Sequence, residues 1–289
     1  MIAVLSDIHG NHHALAACLD YARQRGAQGY LFLGDYISDG AYPQKTMELL
    51  YEAAAQYPCR FLRGNREEYM LACREKGGLG WRDGSASGSL LYTYENLTGK
   101  DLDWFAGLPA WGEESFPGCP PLAYCHGSFR KANGLMAQGS PETLEMLAEI
   151  GPRLVLRGHT HRWCTYDLAG KHVVSAGSVG LPLGTPGHSQ MLLLHEVGGR
   201  WPRWREELCL VPYDADAAAK ELEDSGLARH GLVWTAMIRH VLLTGENMCL
   251  LLPTCAQALY QKASGIEAGW DGVPEEFWQQ AAAEYGVAC

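Results

Sequence analysis

A chain of 289 residues is long enough for one large domain, alone or with a smaller unit appended, and either buries a substantial core. Apolar residues at 47% against 19% charged exclude the disordered and fibrous classes, and a formal charge of −10 makes nucleic acid a poor partner, because polyanion binders carry a basic field. The opening MIAVLSDIHG lacks the features of a secretory signal, no apolar run approaches the roughly 20 residues of a membrane span, and the ten scattered cysteines, without a C-x-x-C pair, read as reduced thiols of a cytoplasmic protein.

The first apolar β-type run covers 2–6 and is followed by Leu15, Cys18, Leu19 and Ala22 at helical spacing. A second run at 30–33 precedes the helical series Met47, Leu50, Tyr51 and Ala54, and a third run covers 59–62. Strands alternating with helices of this length predict βαβ units and a parallel start to the sheet. The Gly- and Ser-rich stretch 77–100 breaks the rhythm and reads as a surface excursion, a loop able to lie over an active site. Strands return at 121–125, 153–157, 172–175 and 190–195, with a final hairpin near 199–211 and a more antiparallel character. Beyond Pro212 the apolar spacing turns helical through Leu232, Met237, Ile238 and Leu242 and again from Leu250 to Tyr260, a pattern that fits core packing. The expected division is therefore 1–212 and a helical extension, 213–289.

Polar residues gather where the strands end. Asp7 and His9 follow the first strand, Gly34-Asp35 and Asp39 the second, and Gly64-Asn65 the third. His126 follows the strand at 121–125, and His159 and His161 flank Thr160 after the strand at 153–157. Ligands of open α/β sheets bind outside the carboxyl ends of strands, so these turns can converge on one point. Each Asp or Asn alone is explained by turn formation or helix capping; the set is not. Oxygen and imidazole donors without thiolate suit Mn²⁺, Fe or Zn²⁺ better than Ca²⁺. A pair of such ions can clamp a phosphoryl group and lower the pKa of a shared water, which provides a nucleophile without a catalytic Ser or Cys. His12, His13, Arg130, Lys131 and Arg162 lie near these turns and read as solvent-facing or capping, and Ser178 lacks the elbow pattern of a serine nucleophile.

The segment 1–161 resembles the calcineurin-like metallophosphoesterases, whose ordered motifs D-x-H, G-D-x-x-D, G-N-H-[ED], a later His and G-H-x-H it follows nearly in full, and SAGSVGLP at 175–182 resembles a turn of their small bacterial branch. The resemblance implies an α/β fold, a four-layer α/β/β/α sandwich with the C-terminal helices appended. It further implies two divalent ions, Mn²⁺ favoured, one held by Asp7, His9 and His161, the other by Asn65, His126 and His159, with Asp35 bridging and Asp39 orienting a neighbouring group from behind. Asp39, Asn65, Arg66 and His126 form the implied catalytic set. The expected activity is hydrolysis of a small phosphodiester, nucleotide or phosphoanhydride by a hydroxide shared between the metals, with a protein phosphatase or a non-catalytic metal-binding scaffold as alternatives. One residue departs from the pattern: Arg66 stands where many relatives have His. A guanidinium releases no proton near neutral pH, so Arg66 either contacts a phosphate oxygen or pairs with Asp39 or Glu67.

Overall fold

The computed structural model describes residues 1–199 and 203–287. The expected βαβ beginning is present: β1 (Ile2–Leu5), α1 (His12–Gln24), β2 (Tyr30–Phe32), α2 (Pro43–Gln56), β3 (Cys59–Phe61) and α3 (Asn65–Glu75), with the three strands parallel. The helix-like Leu15, Cys18 and Ala22 are buried on α1, as Met47 and Leu50 are on α2.

The stretch read as a loop at 77–100 is only partly one, since α4 (Gly88–Glu95) and the start of α5 (Gly99–Gly107) lie within it. Its glycines and serines suit close helix packing: a side chain on Gly88 would collide with the carbonyl of His230. Thr98 caps α5, its hydroxyl accepting from Asp101 N–H while the Asp101 carboxylate accepts from Thr98 N–H.

Next come β4 (Trp111–Glu114), β5 (Leu122–Cys125), α6 (Pro141–Glu149), β6 (Leu154–Arg157), β7 (Trp163–Leu168) and β8 (Lys171–Ala176). The hairpin expected near 199–211 is longer, with β9 (His188–Val197) and β10 (Arg203–Pro212) paired antiparallel from Arg203↔Val197 to Pro212↔His188; residues 200–202 of its turn lie outside the described residues. One sheet runs β10-β9-β1-β2-β3 and the other β4-β5-β6-β8-β7, both mixed. The second half is more antiparallel than the first, as expected: β9 pairs antiparallel with both β1 and β10, and the edges β4 and β7 reverse, while β5, β6 and β8 stay parallel.

Side-chain alternation along the strands builds the layers. Ile2 and Val4 of β1, Leu122 and Tyr124 of β5 and Leu154 and Leu156 of β6 meet in one buried cluster between the sheets. The opposite faces carry Ala3 and Leu5 against α1 and α2, and Ala123, Cys125 and Val155 against α6. The result is the helix-sheet-sheet-helix arrangement, with the parallel strands of both sheets ending on a common rim.

After β10 the chain is helical: α7 (Ala215–Asp224), α8 (Leu227–Thr244), α9 (Leu251–Ser264) and α10 (Glu275–Glu284). Met237, Ile238 and Leu242 are buried as the spacing predicts, in a cluster with Leu252, Trp278 and, from earlier in the chain, Ala41, Tyr92 and Leu181. Leu232 departs from the expectation. It breaks α8 with φ 40° and ψ −121° and is exposed, and the carbonyl of His230 just before the break accepts from Gly84 N–H at 2.8 Å. Among the described residues, no helix is long and apolar enough to cross a membrane.

Candidate metal centre

Five turns at the rim carry the site. Asp7 and His9 leave β1, Asp35 and Asp39 leave β2, Asn65 opens α3 after β3, His126 follows β5, and His159 and His161 follow β6. Asp7, His9, Asp35, Asp39, His159 and His161 all have left-handed backbone, φ between 50° and 70°. Each such residue costs on the order of 1 kcal/mol, and Asp, Asn and His bear that cost better than branched residues. Glycine permits the closest approach: a side chain on Gly64 would strike the Asp35 carboxylate, and one on Gly34 would strike Gly64. The second and third turns are thereby pressed together, which brings Asn65 beside Asp35.

The sequence-predicted donors converge. Asp7, His9, Asp35, Asn65 and His126 are buried, while His159 and His161 are half-buried. Ligand atoms of Asp7, His9 and His161 lie within 4.8 Å of one another, as do those of Asp35, His126 and His159. Asp35 stands between the groups, its Oδ2 3.3 Å from His126 Nε2 and 3.6 Å from His9 Nε2. Asn65 Oδ1 is 3.1 Å from His126 Nε2.

Hydrogen bonds on the outer ring nitrogens settle the tautomers. His126 Nδ1 lies 2.7 Å from the Leu33 carbonyl and His161 Nδ1 3.1 Å from the Leu181 carbonyl. A carbonyl only accepts, so both Nδ1 atoms are protonated and each ring turns its Nε2 toward the centre, where a metal ion would displace any proton that nitrogen carries. His9 follows the same rule, with Nδ1 3.1 Å from Asp39 Oδ2. His9 Nε2 and His161 Nε2 then face each other at 3.0 Å, and a cation must lie between them, either a proton or a metal ion. Imidazoles held on their far nitrogens and carboxylates crowded on their near side are the donor set of a divalent metal centre.

Electrostatics follows from burial and proximity. Burial, reinforced by Asp35, raises the Asp7 carboxyl above its ordinary value. Burial opposes charge on Asp35 too, but His126, and then His9 and Arg66, hold it far below the carboxylate range. Burial likewise opposes a charged His126, yet the Asp35 and Asp7 carboxylates lift it to about 10. Burial and the nearby His126 charge lower His159 to about 4, and burial with His9 lowers His161 well below the ordinary imidazole.

Asp39 stands behind His9 and is itself heavily anchored. Ser38 Oγ donates to its Oδ2 at 3.0 Å, Ser89 Oγ to its Oδ1 at 3.1 Å and Trp234 Nε1 to its Oδ1 at 2.8 Å. Arg66 Nη2 lies 3.3 Å from Oδ2 and its backbone N–H donates to Asp35 Oδ1 at 2.8 Å. Against the cost of burial, Arg66 first and His9 and Trp234 next keep Asp39 ionised. Of the two acidic partners considered for Arg66, the geometry selects Asp39.

Glu67 has another task, which the sequence reading missed. Its carboxylate accepts from the backbone N–H of Asp35 (2.9 Å), Tyr36 (2.8 Å) and Gly64 (2.8 Å), clamping two ligand turns from inside the protein. Glu at the third position after Gly64, where a helix begins, is the capping-box spacing and was a readable signal. Ser89 and Trp234 carried no such signal, because only the tertiary fold brings them to Asp39. Ser178 is structural as expected: its hydroxyl donates to the Asp7 carbonyl and accepts from Leu181 N–H, both at 2.8 Å. Arg130, Lys131 and Arg162 are exposed, and His12 and His13 turn away to Glu221.

Comparisons with known proteins agree with this geometry. The sequence profile described as calcineurin-like phosphoesterase matches residues 1–163. An uncharacterized protein of Methanocaldococcus jannaschii is 28% identical over 161 residues, which are 56% of this chain and 62% of that protein. A serine/threonine-protein phosphatase of the PP2A-like type from Candida albicans is 40% identical over 68 residues, 23% of this chain and 16% of its own length. The chain thus spans less than two thirds of the curated relatives it matches. Among solved structures, a hypothetical protein of Pyrococcus horikoshii superposes with a TM-score of 0.69 at 19% identity, covering 86% of this chain and 100% of its own. A metallophosphoesterase of Sphaerobacter thermophilus does so with a TM-score of 0.59 at 18% identity, covering 80% and 98%. At those identities the likeness is one of fold.

Replacing Glu67 by Gln puts an amide N–H against a backbone N–H in the clamp. Glu67→Gln is expected to cost about 1–3 kcal/mol in urea unfolding and to weaken metal uptake; an unchanged unfolding midpoint would contradict the clamp.

Proposed function

The chain belongs to the calcineurin-like phosphoesterase family, and from that premise we propose a metal-dependent hydrolase of a small phosphodiester, nucleotide or phosphoanhydride that works with two divalent ions. The observation that carries this reading is the set of inward-facing Nε2 atoms on His9, His126 and His161, each ring held by a partner on its far nitrogen and backed by Asp7 and Asp35.

Asp7, His9 and His161 would hold one ion and Asn65, His126 and His159 the other, with Asp35 shared. Such ions, Mn²⁺ preferred, supply Lewis acidity toward a phosphoryl oxygen and an activated water as nucleophile. The protein contributes placement. Asp39 fixes the His9 ring, Glu67 fixes the backbone of Asp35 and Gly64, and Asn65, Arg66 and His159 line a cavity of about 360 Å³ where substrate enters. Water adds to phosphorus and loses a proton to solvent, the P–O ester bond breaks, and the leaving oxygen departs as an anion carrying the bond's electron pair. Arg66 stabilises negative charge on the phosphoryl oxygens and has no proton to give that oxygen. Good leaving groups, as in phosphoanhydrides and aryl esters, are therefore favoured.

A cytoplasmic location belongs to the same proposal, and the nine described cysteines, all free, support it. The serine/threonine phosphatase alternative rests on the short match to the fungal enzyme. A scaffold reading has to explain why every donor is kept in place.

Two measurements test the proposal. In a Mn²⁺-supplemented panel of monoesters, diesters, dinucleoside polyphosphates and phosphopeptides, turnover is expected on the small substrates and falls to background in Asp35→Asn. Turnover confined to phosphopeptides would move the reading to a protein phosphatase, and bound metal with no turnover would move it to a scaffold. Separately, Arg66→His is expected to raise kcat/KM on an alkyl ester at least roughly tenfold more than on a p-nitrophenyl ester, since a positioned acid contributes about 100-fold or more. Equal changes on both would sink the leaving-group argument.

A further inference from the structure

The cavity over the centre is built from two parts of the chain. Its floor is Asn65, Arg66 and His159; its walls include Ser87 and Leu90 from the segment around α4, Trp234 from α8, Cys249 from the α8–α9 connection and Trp270 from the turn between α9 and α10. Those last three residues lie beyond the 1–163 matched by the family profile. Whatever they recognise lies outside the segment that the family profile matches.

The wall chemistry is uneven. Trp234 donates its indole N–H to Asp39 Oδ1 at 2.8 Å, and Trp270 donates its own to Gln257 Oε1 at 3.2 Å. The wall serines are committed as donors too: Ser85 Oγ to Glu275 at 2.5 Å, Ser87 Oγ to the Arg82 carbonyl at 3.1 Å and Ser89 Oγ to Asp39 at 3.1 Å. Both indoles thus present carbon surface to the cavity, with their polar edges used elsewhere. Their ring centroids are 5.8 Å apart with planes inclined by 44°, and Trp270 is 36% exposed, so one indole stays available to a ligand while Trp234 is buried behind it.

The walls are also tied to each other. Arg82 Nη2 donates to the Asp271 carbonyl at 3.2 Å, Ser85 N–H donates to Glu275 at 3.0 Å, and His230 Nδ1 lies 2.8 Å from Asp83 Oδ1. These bonds join the segment before α4 to the turn that carries Trp270, to the start of α10 and to α8, which makes the pocket preformed. Its volume, about 360 Å³, suits a small ligand and not a folded protein partner.

We propose that this pocket, walled by Trp234 and Trp270, binds a planar aromatic group of the phosphoester, a nucleobase or an aryl ring, by stacking beside the metal centre. The inference rests on the phosphoesterase reading for the phosphate end and adds the specificity element at the other end. The indole and serine donors are already committed, so recognition is mainly by shape and π-surface, with the Tyr69 hydroxyl on the same cavity as the polar group left to a ligand. The C-terminal helices are then the specificity part of the protein, and Trp270, which touches substrate, is its exposed stacking platform.

Phosphonates with a P–C bond test this without turnover. Affinities of Mn²⁺-loaded protein are measured by titration calorimetry for methylphosphonate, phenylphosphonate and 9-[2-(phosphonomethoxy)ethyl]adenine. Either aromatic ligand is expected to bind about tenfold tighter than methylphosphonate, the scale of one stacking interaction. A larger gain for the adenine ligand identifies a nucleotide and a larger gain for phenylphosphonate an aryl ester. Trp270→Ala is expected to remove most of the preference and Trp270→Phe to keep much of it, while Leu210→Ala, exposed on β10, leaves it as in the wild type. Equal affinities for all three ligands, no measurable binding of any, or a preference that survives in Trp270→Ala would overturn the proposal. Aromatic preference without turnover in the substrate panel would leave the pocket standing and sink hydrolysis; turnover without preference would do the reverse.

Discussion

Two imidazole nitrogens, His9 Nε2 and His161 Nε2, face each other 3.0 Å apart, each with its outer nitrogen tied to Asp39 or to the Leu181 carbonyl. Lone pairs do not meet at that distance without a cation between them. Much of the surrounding structure can be understood as what is needed to keep such a cluster together. Left-handed backbone at Asp7, His9, Asp35, Asp39, His159 and His161 aims the side chains inward, at a cost in backbone energy on the order of 1 kcal/mol for each. The interleaved apolar residues between the two sheets supply the rigid rim against which that strain is held.

Asp39 is the joint between the two halves of the molecule. It takes His9 on one side and Arg66, Ser89 and Trp234 on the other, and Trp234 lies in a helix 195 residues further along the chain. Packing of the C-terminal helices and orientation of a metal-binding imidazole are therefore linked through a single ionised carboxylate. Glu67 performs a matching service for the other side of the centre by gathering the N–H groups of Asp35, Tyr36 and Gly64. These supports explain how a half-buried charge cluster keeps its geometry.

The donors were legible because each stands directly after an apolar β-run, where one residue's displacement would carry it off the rim. The parallel strands β1, β2, β5 and β6 were legible for the same reason, being short, largely apolar and buried on both faces. The edge strands β4 and β7 were not: Trp111–Glu114 and Trp163–Leu168 alternate between exposed and half-buried residues and look like loop in composition. Helix α4 was hidden by the Gly and Ser content that lets it approach α8, and the break at Leu232 interrupts a pattern that reads as continuous. Contacts such as Ser89 to Asp39 and Trp234 to Asp39 join residues distant in sequence, so no local pattern could announce them. The role of Glu67 was legible in its spacing from Gly64 but was masked by the neighbouring Arg66, an obvious charge partner that turns instead to Asp39.

Crystals of the Mn²⁺-loaded protein, with anomalous diffraction recorded at the manganese edge, test the central claim most directly. The account predicts two peaks about 3.5–4 Å apart, one among Asp7, His9 and His161, the other among Asn65, His126 and His159, with the Asp35 carboxylate between them. A single peak, or manganese bound only outside these side chains, would contradict it.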